Sequence, residues 1–96
     1  MLDIHAIKQL SKQGQHQQAI TAANKLVKSD AKNTAFLDCY GFVLITAGDH
    51  GKAIKVYQKL IRLFPNKIDY LFALAICHTN LNNFKEAQDY LSLIHI

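Results

Sequence analysis

The side chains that could do chemistry in this 96-residue chain are five histidines and two cysteines. Both types ligate metals, and a cysteine beside a histidine and a carboxylate can act as a nucleophile. Cys39 and Cys77 have no C-x-x-C spacing, and the adjacent Cys77 and His78 would point apart in a helix, so they cannot share an ion. Neither an H-E-x-x-H motif nor a phosphate-binding glycine loop is present. The sequence therefore predicts no metal site, no cofactor and no enzymatic activity, with both thiols free and buried.

A stripe of positive charge is the second chemical feature. Lys52, Lys55, Lys59 and Arg62 are three or four residues apart, which places them on one face of a helix. The net charge of the chain is +4, and such a stripe can neutralise the phosphates of a nucleic acid. No aromatic residues interleave with it to stack on bases. We therefore expect a solvated outer face and no nucleic-acid partner, with nucleic-acid binding as the alternative.

The composition favours helices as the elements that position these side chains. Hydrophobic residues make up 50% of the chain and charged residues 19%, which excludes a disordered tail. One proline and four glycines are too few for the turns of an all-β fold. No apolar run approaches the roughly 20 residues that span a bilayer, and Asp3 and Lys8 interrupt any signal-peptide pattern. The sequence predicts a single all-α domain over residues 1–96, cytoplasmic and without membrane insertion.

The chain repeats itself with a period of 34 residues and no insertion. The period divides it into units of approximately residues 1–33, 34–67 and 68–96. Small, apolar and turn-forming residues recur at the same register, in the sets Gly14, Gly48 and Asn82; Ala19, Ala53 and Ala87; Leu26, Leu60 and Ile94; and His16, His50 and Phe84. Because the two histidines share a register with a phenylalanine, we expect them to pack as an aromatic side chain would.

Each unit is predicted to form two antiparallel helices, which gives about six in all. In the middle unit the first helix covers about residues 34–47 and the second about residues 50–64. Gly48 supplies the left-handed conformation that ends the first helix, and Asp49 is a good N-cap for the second. Pro65 ends the second helix.

The outer units vary this pattern. Asn82 replaces the glycine in the third unit, because asparagine is the residue other than glycine that best tolerates a positive φ. Asn66 is the predicted N-cap of the third unit's first helix. In the first unit Gln15 is a poor cap, and Ala31 stands where Pro65 stands one repeat later.

The residues at the repeated positions form a recognisable pattern of small, aromatic and branched side chains. In the middle unit they are Leu37, Tyr40, Gly41, Leu44, Gly48, Asp49, Ala53, Tyr57, Leu60 and Pro65. In the third unit they are Leu71, Leu74, Ala75, Phe84, Ala87 and Leu91. This pattern resembles the tetratricopeptide repeat (TPR) family over essentially the whole chain. The resemblance implies a right-handed superhelical solenoid that binds proteins.

Two further expectations concern the interior of these units. Gly41 is a small residue in the middle of a helix, and its expected role is to let the paired helix approach closely, as Ala53 does opposite. The first unit departs from the family pattern at Asp3, Ala6, Ile7 and Ala23. These departures predict a degenerate or capping repeat.

The TPR resemblance implies that the first helix of each unit lines a concave, partner-binding face. Helical periodicity assigns the inward positions to Ile4, His5, Lys8 and Ser11; Asp38, Cys39, Phe42 and Ile45; and Asp69, Phe72, Ala73, Ile76 and Thr79. The apolar strip is the set Ile4, Phe42, Ile45, Phe72 and Ile76. We predict that this strip receives the apolar side of an amphipathic helix from a partner protein. The alternatives are packing against a terminal helix of the protein itself, or ordinary exposed apolar surface.

Residues 70–88 carry a second, looser likeness that rests on helix pattern and size. They resemble the repeats of small bacterial type III secretion chaperones, which are cytoplasmic and hold an aggregation-prone secretion subunit in the concave face. This likeness implies a chaperone or adaptor that acts in protein transport and virulence. The carboxylate-gripping groove of co-chaperone TPR proteins is not expected, since only Lys8 could serve in it. The competing prediction is a structural assembly subunit or scaffold that self-associates through its ends.

The end of the last predicted helix is apolar, and no polar capping helix follows it. Repeat arrays need such a cap for solubility. We therefore expect further sequence or another chain, such as a second copy in a homodimer, to cover this end. A frayed terminus is the remaining alternative. The candidate end interface consists of Leu91, Leu93, Ile94 and Ile96.

Overall fold

The computed structural model describes residues 2–94, and these residues form six helices and no strand. The helices pair within each unit, while α3 also packs on α1 and α2 and α5 also packs on α4. The predicted all-α fold of three helix-turn-helix units is confirmed. No helix within residues 2–94 has the length and apolar character that crossing a membrane requires. The bounds are α1 Ile4–Lys12, α2 His16–Ser29, α3 Thr34–Thr46, α4 His50–Leu63, α5 Ile68–Asn80 and α6 Phe84–Ser92.

The turn inside each unit has the same construction. Gly14, Gly48 and Asn82 have φ angles of 83°, 85° and 63°. The residue after each of them donates its backbone N–H to the carbonyl five residues back, at N–O distances of 3.0, 2.9 and 2.7 Å. This hydrogen bond satisfies a carbonyl that the end of the helix leaves free. The prediction that Asn82 takes the left-handed conformation is confirmed.

Three of the helices begin at a side-chain cap. Asp3, Asn33 and Asp49 each accept a hydrogen bond from the backbone N–H three residues later, at 2.8, 3.1 and 3.4 Å. Each cap satisfies a donor that the first turn cannot pair internally. Gln15 makes no such bond at the start of α2, as its residue type predicts.

The start of α5 differs from the prediction. Its N-cap is Lys67, which makes no side-chain cap hydrogen bond, and the prediction of Asn66 is therefore wrong. The backbone N–H of Lys67 donates to the carbonyl of Phe64 at 3.2 Å. Asn66 therefore lies inside a turn that closes before the helix begins.

Two apolar clusters join neighbouring units and set the positions of α3 and α5. A fully buried leucine or isoleucine in such a cluster contributes about 1.5–3 kcal/mol. The first cluster combines Ile7, Ala19, Ala23 and Leu26 of the first unit with Cys39 and Val43 of α3. The second combines Leu37, Leu44, Ala53, Val56, Tyr57 and Leu60 of the second unit with Tyr70, Ala73, Leu74 and Cys77 of α5.

Gly41 lies against Tyr57, a close approach that its size permits. A Cβ atom added at Gly41 would be 2.8 Å from Cε2 and Cζ of the Tyr57 ring, and Tyr57 is 5% exposed. At the same register the first unit has Ile7 with Ala23, both fully buried. The first unit thus has the larger side chain on its first helix, whereas the second unit has it on its second helix. The departures of the first unit from the family pattern at these positions compensate each other.

Candidate protein-binding site

The predicted groove positions divide into buried and accessible residues. Ser11, Cys39 and Ala73 are only 1%, 1% and 9% exposed, and Cys39 and Ala73 lie in the clusters between units. These two therefore position α3 and α5 and offer almost no surface to a partner. The accessible groove positions are the half-buried Ile4, Lys8, Asp38, Phe42 and Ile45 and the exposed His5, Asp69, Phe72, Ile76 and Thr79.

Lys8 lies over one end of the apolar strip. Its Nζ atom is 5.3 Å from the centre of the Phe42 ring, so α1 and α3 are joined by a cation–π contact. Part of the Phe42 ring surface is therefore already occupied. A partner that reaches this end of the strip meets a positive charge beside an aromatic edge.

Asp38 is held by a contact between the second and third units. The hydroxyl of Tyr70 donates a hydrogen bond to Oδ2 of Asp38 at 3.1 Å. Burial, together with the negative charge of Asp38, raises the pKa of Tyr70 to about 12, so the phenol stays protonated and donates at neutral pH. The rings of Tyr57 and Tyr70 lie 5.9 Å apart behind this bond. Asp38 therefore joins α3 to α5 as well as lying at the rim of the groove.

The most exposed residues of the apolar strip lie on α5. Phe72 and Ile76 are 51% and 39% exposed, and their spacing of four residues places them on one face of the helix. They line a cleft of about 350 Å³ together with Ala75, Thr79, Asn80 and Leu91. We call this the third-unit cleft. The apolar strip thus continues between α5 and α6.

The third-unit cleft corresponds to surfaces that are covered in the other two units. Ala23 and Tyr57 share the register of Leu91, and they are 0% and 5% exposed because α3 and α5 pack over them. Leu91 is 45% exposed. Within residues 2–94 no helix covers it as α3 covers Ala23.

The candidate end interface is largely accessible. Leu91 and Leu93 are 45% and 56% exposed, and Ile94 is half-buried. Ile96, the fourth predicted member, lies outside the described residues. The described part of this interface adjoins the third-unit cleft through Leu91.

The two cysteines are free and buried. Burial raises the pKa of Cys77 to about 11 and also raises that of Cys39, for which the positive charge of Lys8 partly opposes the effect. Both thiols are therefore protonated at neutral pH, whereas a nucleophilic cysteine must be a thiolate. Within residues 2–94 no group of three or more His, Cys, Asp or Glu side chains is arranged to hold a metal ion.

The histidines that share a register with Phe84 are half-buried, and their Nδ1 atoms lie buried without a hydrogen-bond partner. His16 and His50 therefore pack at the start of α2 and α4, in line with the predicted packing role. Phe84 itself is 63% exposed at the start of α6. Residues at the same register of the repeat thus differ in how deeply they are buried.

Comparison with known proteins identifies the repeat. A family model described as anaphase-promoting complex, cyclosome, subunit 3 matches residues 12–93. Curated proteins give no match. The likeness to type III secretion chaperones stays a prediction, since the family matched is a different one. The match begins at the last residue of α1 and covers α2 to α6, including the exposed surfaces of α5 and α6. The chain therefore belongs to the anaphase-promoting complex, cyclosome, subunit 3 family, whose TPR-type repeats are protein–protein interaction modules.

Proposed function

We propose that this chain is a non-catalytic cytoplasmic chaperone or adaptor that holds an amphipathic helix of a partner protein against the apolar strip. The observation that carries the proposal is the exposure of Phe72 and Ile76, one helical turn apart on α5. A contiguous apolar surface of this kind on a folded domain marks an interaction site. A subunit of a type III secretion apparatus is one predicted identity for the partner.

The surroundings of the strip favour a helix as the bound segment. Apolar anchors at positions i, i+4 and i+7 on one face of a partner helix would meet Phe72, Ile76 and Leu91, which together line the third-unit cleft. Lys8 on α1 and Asp69 on α5 lie on the two outer helices of the groove and have opposite signs. They would therefore favour one direction of a helix whose polar ends are oppositely charged.

The test uses a fluorescently labelled model helix with leucines on one face and glutamines on the other. Phe72→Glu places a charge inside the strip, and we expect it to weaken binding by about tenfold or more, measured by fluorescence anisotropy. Phe84→Glu is the matched control, because Phe84 is exposed in the same unit but outside the strip. Circular dichroism checks that both variants stay folded. Unchanged binding by Phe72→Glu would refute the proposal.

A second candidate function is supported by the candidate end interface. In this alternative the chain is an assembly subunit that pairs with a second copy through Leu91 and Leu93, and the family name denotes a subunit of a complex. Head-to-tail stacking is disfavoured, because α1 carries the exposed His5 and Gln9 where α3 and α5 carry small buried residues. A symmetric contact between two third units remains.

Sedimentation equilibrium separates the two candidates. A stable dimer of the purified chain at about 50 μM, dissociated by Leu91→Glu, supports the assembly subunit. A monomer at the same concentration excludes it. Aggregation of the chain that co-expression with a partner relieves favours the chaperone.

A further inference from the structure

A second cleft lies where the first unit meets the second. It has a volume of about 450 Å³ and is formed where α2 has ended, α3 begins and α4 ends. None of its residues belongs to the apolar strip or to the third-unit cleft. We call it the basic cleft, and its lining consists of Ala31, Lys32, Leu37, Lys59, Arg62 and Leu63.

The lining combines an apolar floor with a positively charged rim. Leu37 is 6% exposed and belongs to the second cluster, whereas Leu63 is 59% exposed. Lys32, Lys59 and Arg62 are all exposed. The cleft can therefore offer both an apolar contact and cationic partners to one ligand.

The positive charge of the rim has little opposing charge nearby. Neither α2 nor α4 contains an aspartate or a glutamate. Asp30 precedes the cleft in sequence but does not line it, and Asp38 on α3 accepts the hydrogen bond from Tyr70. A surface with one sign of charge attracts partners of the opposite sign and speeds their association.

We propose that the basic cleft binds an acidic segment of a partner protein, with one apolar side chain of that segment against Leu63 and Leu37. Lys59 and Arg62 are three residues apart on one side of α4, and their Cβ atoms are therefore about 5–6 Å apart. Two carboxylates one helical turn apart in the partner have the same spacing. Arg62 can hold one of them with two parallel hydrogen bonds.

An acidic protein segment fits this cleft better than a nucleic acid does. Binding of a single strand relies on aromatic side chains that stack on bases, and the lining contains none. Phe64, which follows Leu63 in sequence, already contacts the Lys67 ammonium at 5.9 Å and the Tyr70 ring at 6.2 Å between centroids. The exposed Leu63 gains nothing from a phosphate backbone, whereas it can bury an apolar side chain.

The test uses a labelled peptide that contains glutamates and a central leucine. Its binding to the full chain is measured by fluorescence anisotropy. The double variant Lys59→Glu/Arg62→Glu reverses two charges of the rim, and we expect it to weaken binding by about tenfold or more. The matched control is Lys52→Glu/Lys55→Glu, which makes the same charge change on the same helix outside the cleft. We expect that control to weaken binding at least threefold less than the rim variant does, because neither Lys52 nor Lys55 lines the cleft. Lys52 also lies two helical turns from Lys59, about 10 Å along the helix axis, where salt at 0.15 M screens exposed charges.

Further arms separate the cleft from a general attraction to anions. Leu63→Gln should weaken binding while leaving the charge unchanged, and the peptide with glutamines in place of glutamates should not bind. Phe72→Glu should bind the acidic peptide as the natural chain does, because the apolar strip is a different site. Equal loss in the two double variants, tighter binding of an RNA oligonucleotide or of phosphatidylserine vesicles, or no saturable binding of the acidic peptide would each overturn the proposal.

Discussion

The effects on stability of substitutions at Gly41 and Tyr57 should depend on each other. A Cβ at Gly41 would lie 2.8 Å from the Tyr57 ring, closer than two carbon atoms can pack. The ring cannot turn away freely, because it is buried and lies 5.9 Å from the ring of Tyr70. Overpacking of this kind costs about 1–3 kcal/mol, while alanine gains about 1 kcal/mol over glycine inside a helix. We therefore expect Gly41→Ala to lower the free energy of unfolding by about 1 kcal/mol.

The same substitution should change sign once the ring is removed. Tyr57→Leu reproduces the residue that the third unit has at this register, where Ala75 accompanies Leu91. In the Tyr57→Leu background the clash is relieved and only the helix-propensity gain remains. Gly41→Ala should then raise the free energy of unfolding by about 0.5–1 kcal/mol, which corresponds to a coupling of about 2 kcal/mol between the sites.

The measurement is urea unfolding of the four members of this cycle, followed by circular dichroism. Gly51→Ala is the control, because a Cβ there meets no atom within 4 Å, and we expect it to stabilise the chain in either background. A destabilisation by Gly41→Ala that is equal with tyrosine and with leucine at position 57 would refute the packing argument.

Three further predictions concern a turn, a tyrosine and the thiols. Asn82→Gly should raise the free energy of unfolding by a few tenths of a kcal/mol and Asn82→Ala should lower it by about 1 kcal/mol, since φ is positive there. Burial and the negative charge of Asp38 raise the folded-state pKa of Tyr70 to about 12. The stabilisation that the Tyr70 hydroxyl gives the fold is therefore complete below the ordinary tyrosine pKa of about 10 and is lost as the pH rises through 12. Denaturant titrations across that range should show a smaller loss for Tyr70→Phe. Cys39 and Cys77 should react with a thiol reagent at pH 8 far more slowly than in the urea-unfolded chain.

The sequence predicted the elements of the fold because their signals are local. The positive-φ turns at Gly14, Gly48 and Asn82 follow from residues within each unit, and the period of 34 residues follows from comparing the units along the sequence. The cap of α5 was missed because Pro65 and Asn66 are consistent with more than one turn, and the hydrogen bond from Lys67 to Phe64 selects among them. Boundaries of helices depend on such single bonds.

The site was predicted less completely because its surfaces are made between units. Helical periodicity places Cys39 and Ala73 on the groove side, but contact with the preceding unit buries them. The bond between Tyr70 and Asp38 joins residues 32 positions apart. The basic cleft likewise combines Lys32 of the first unit with Arg62 of the second. No sequence pattern within one unit could have indicated the hydrogen bond between Tyr70 and Asp38 or the basic cleft.

The reciprocal pairs in the interior explain how the three units can share a fold and differ on the surface. Ile7 with Ala23 and Gly41 with Tyr57 fill the same space with opposite sizes, so the helices keep their arrangement although the residues change. Exposed positions are free of this restriction. The second unit carries the basic helix α4, while the third carries most of the exposed large apolar side chains. Because the interior constrains only the combined size of each pair, the repeats can keep their packing while their exposed residues build surfaces of different chemistry, such as the apolar strip and the basic cleft.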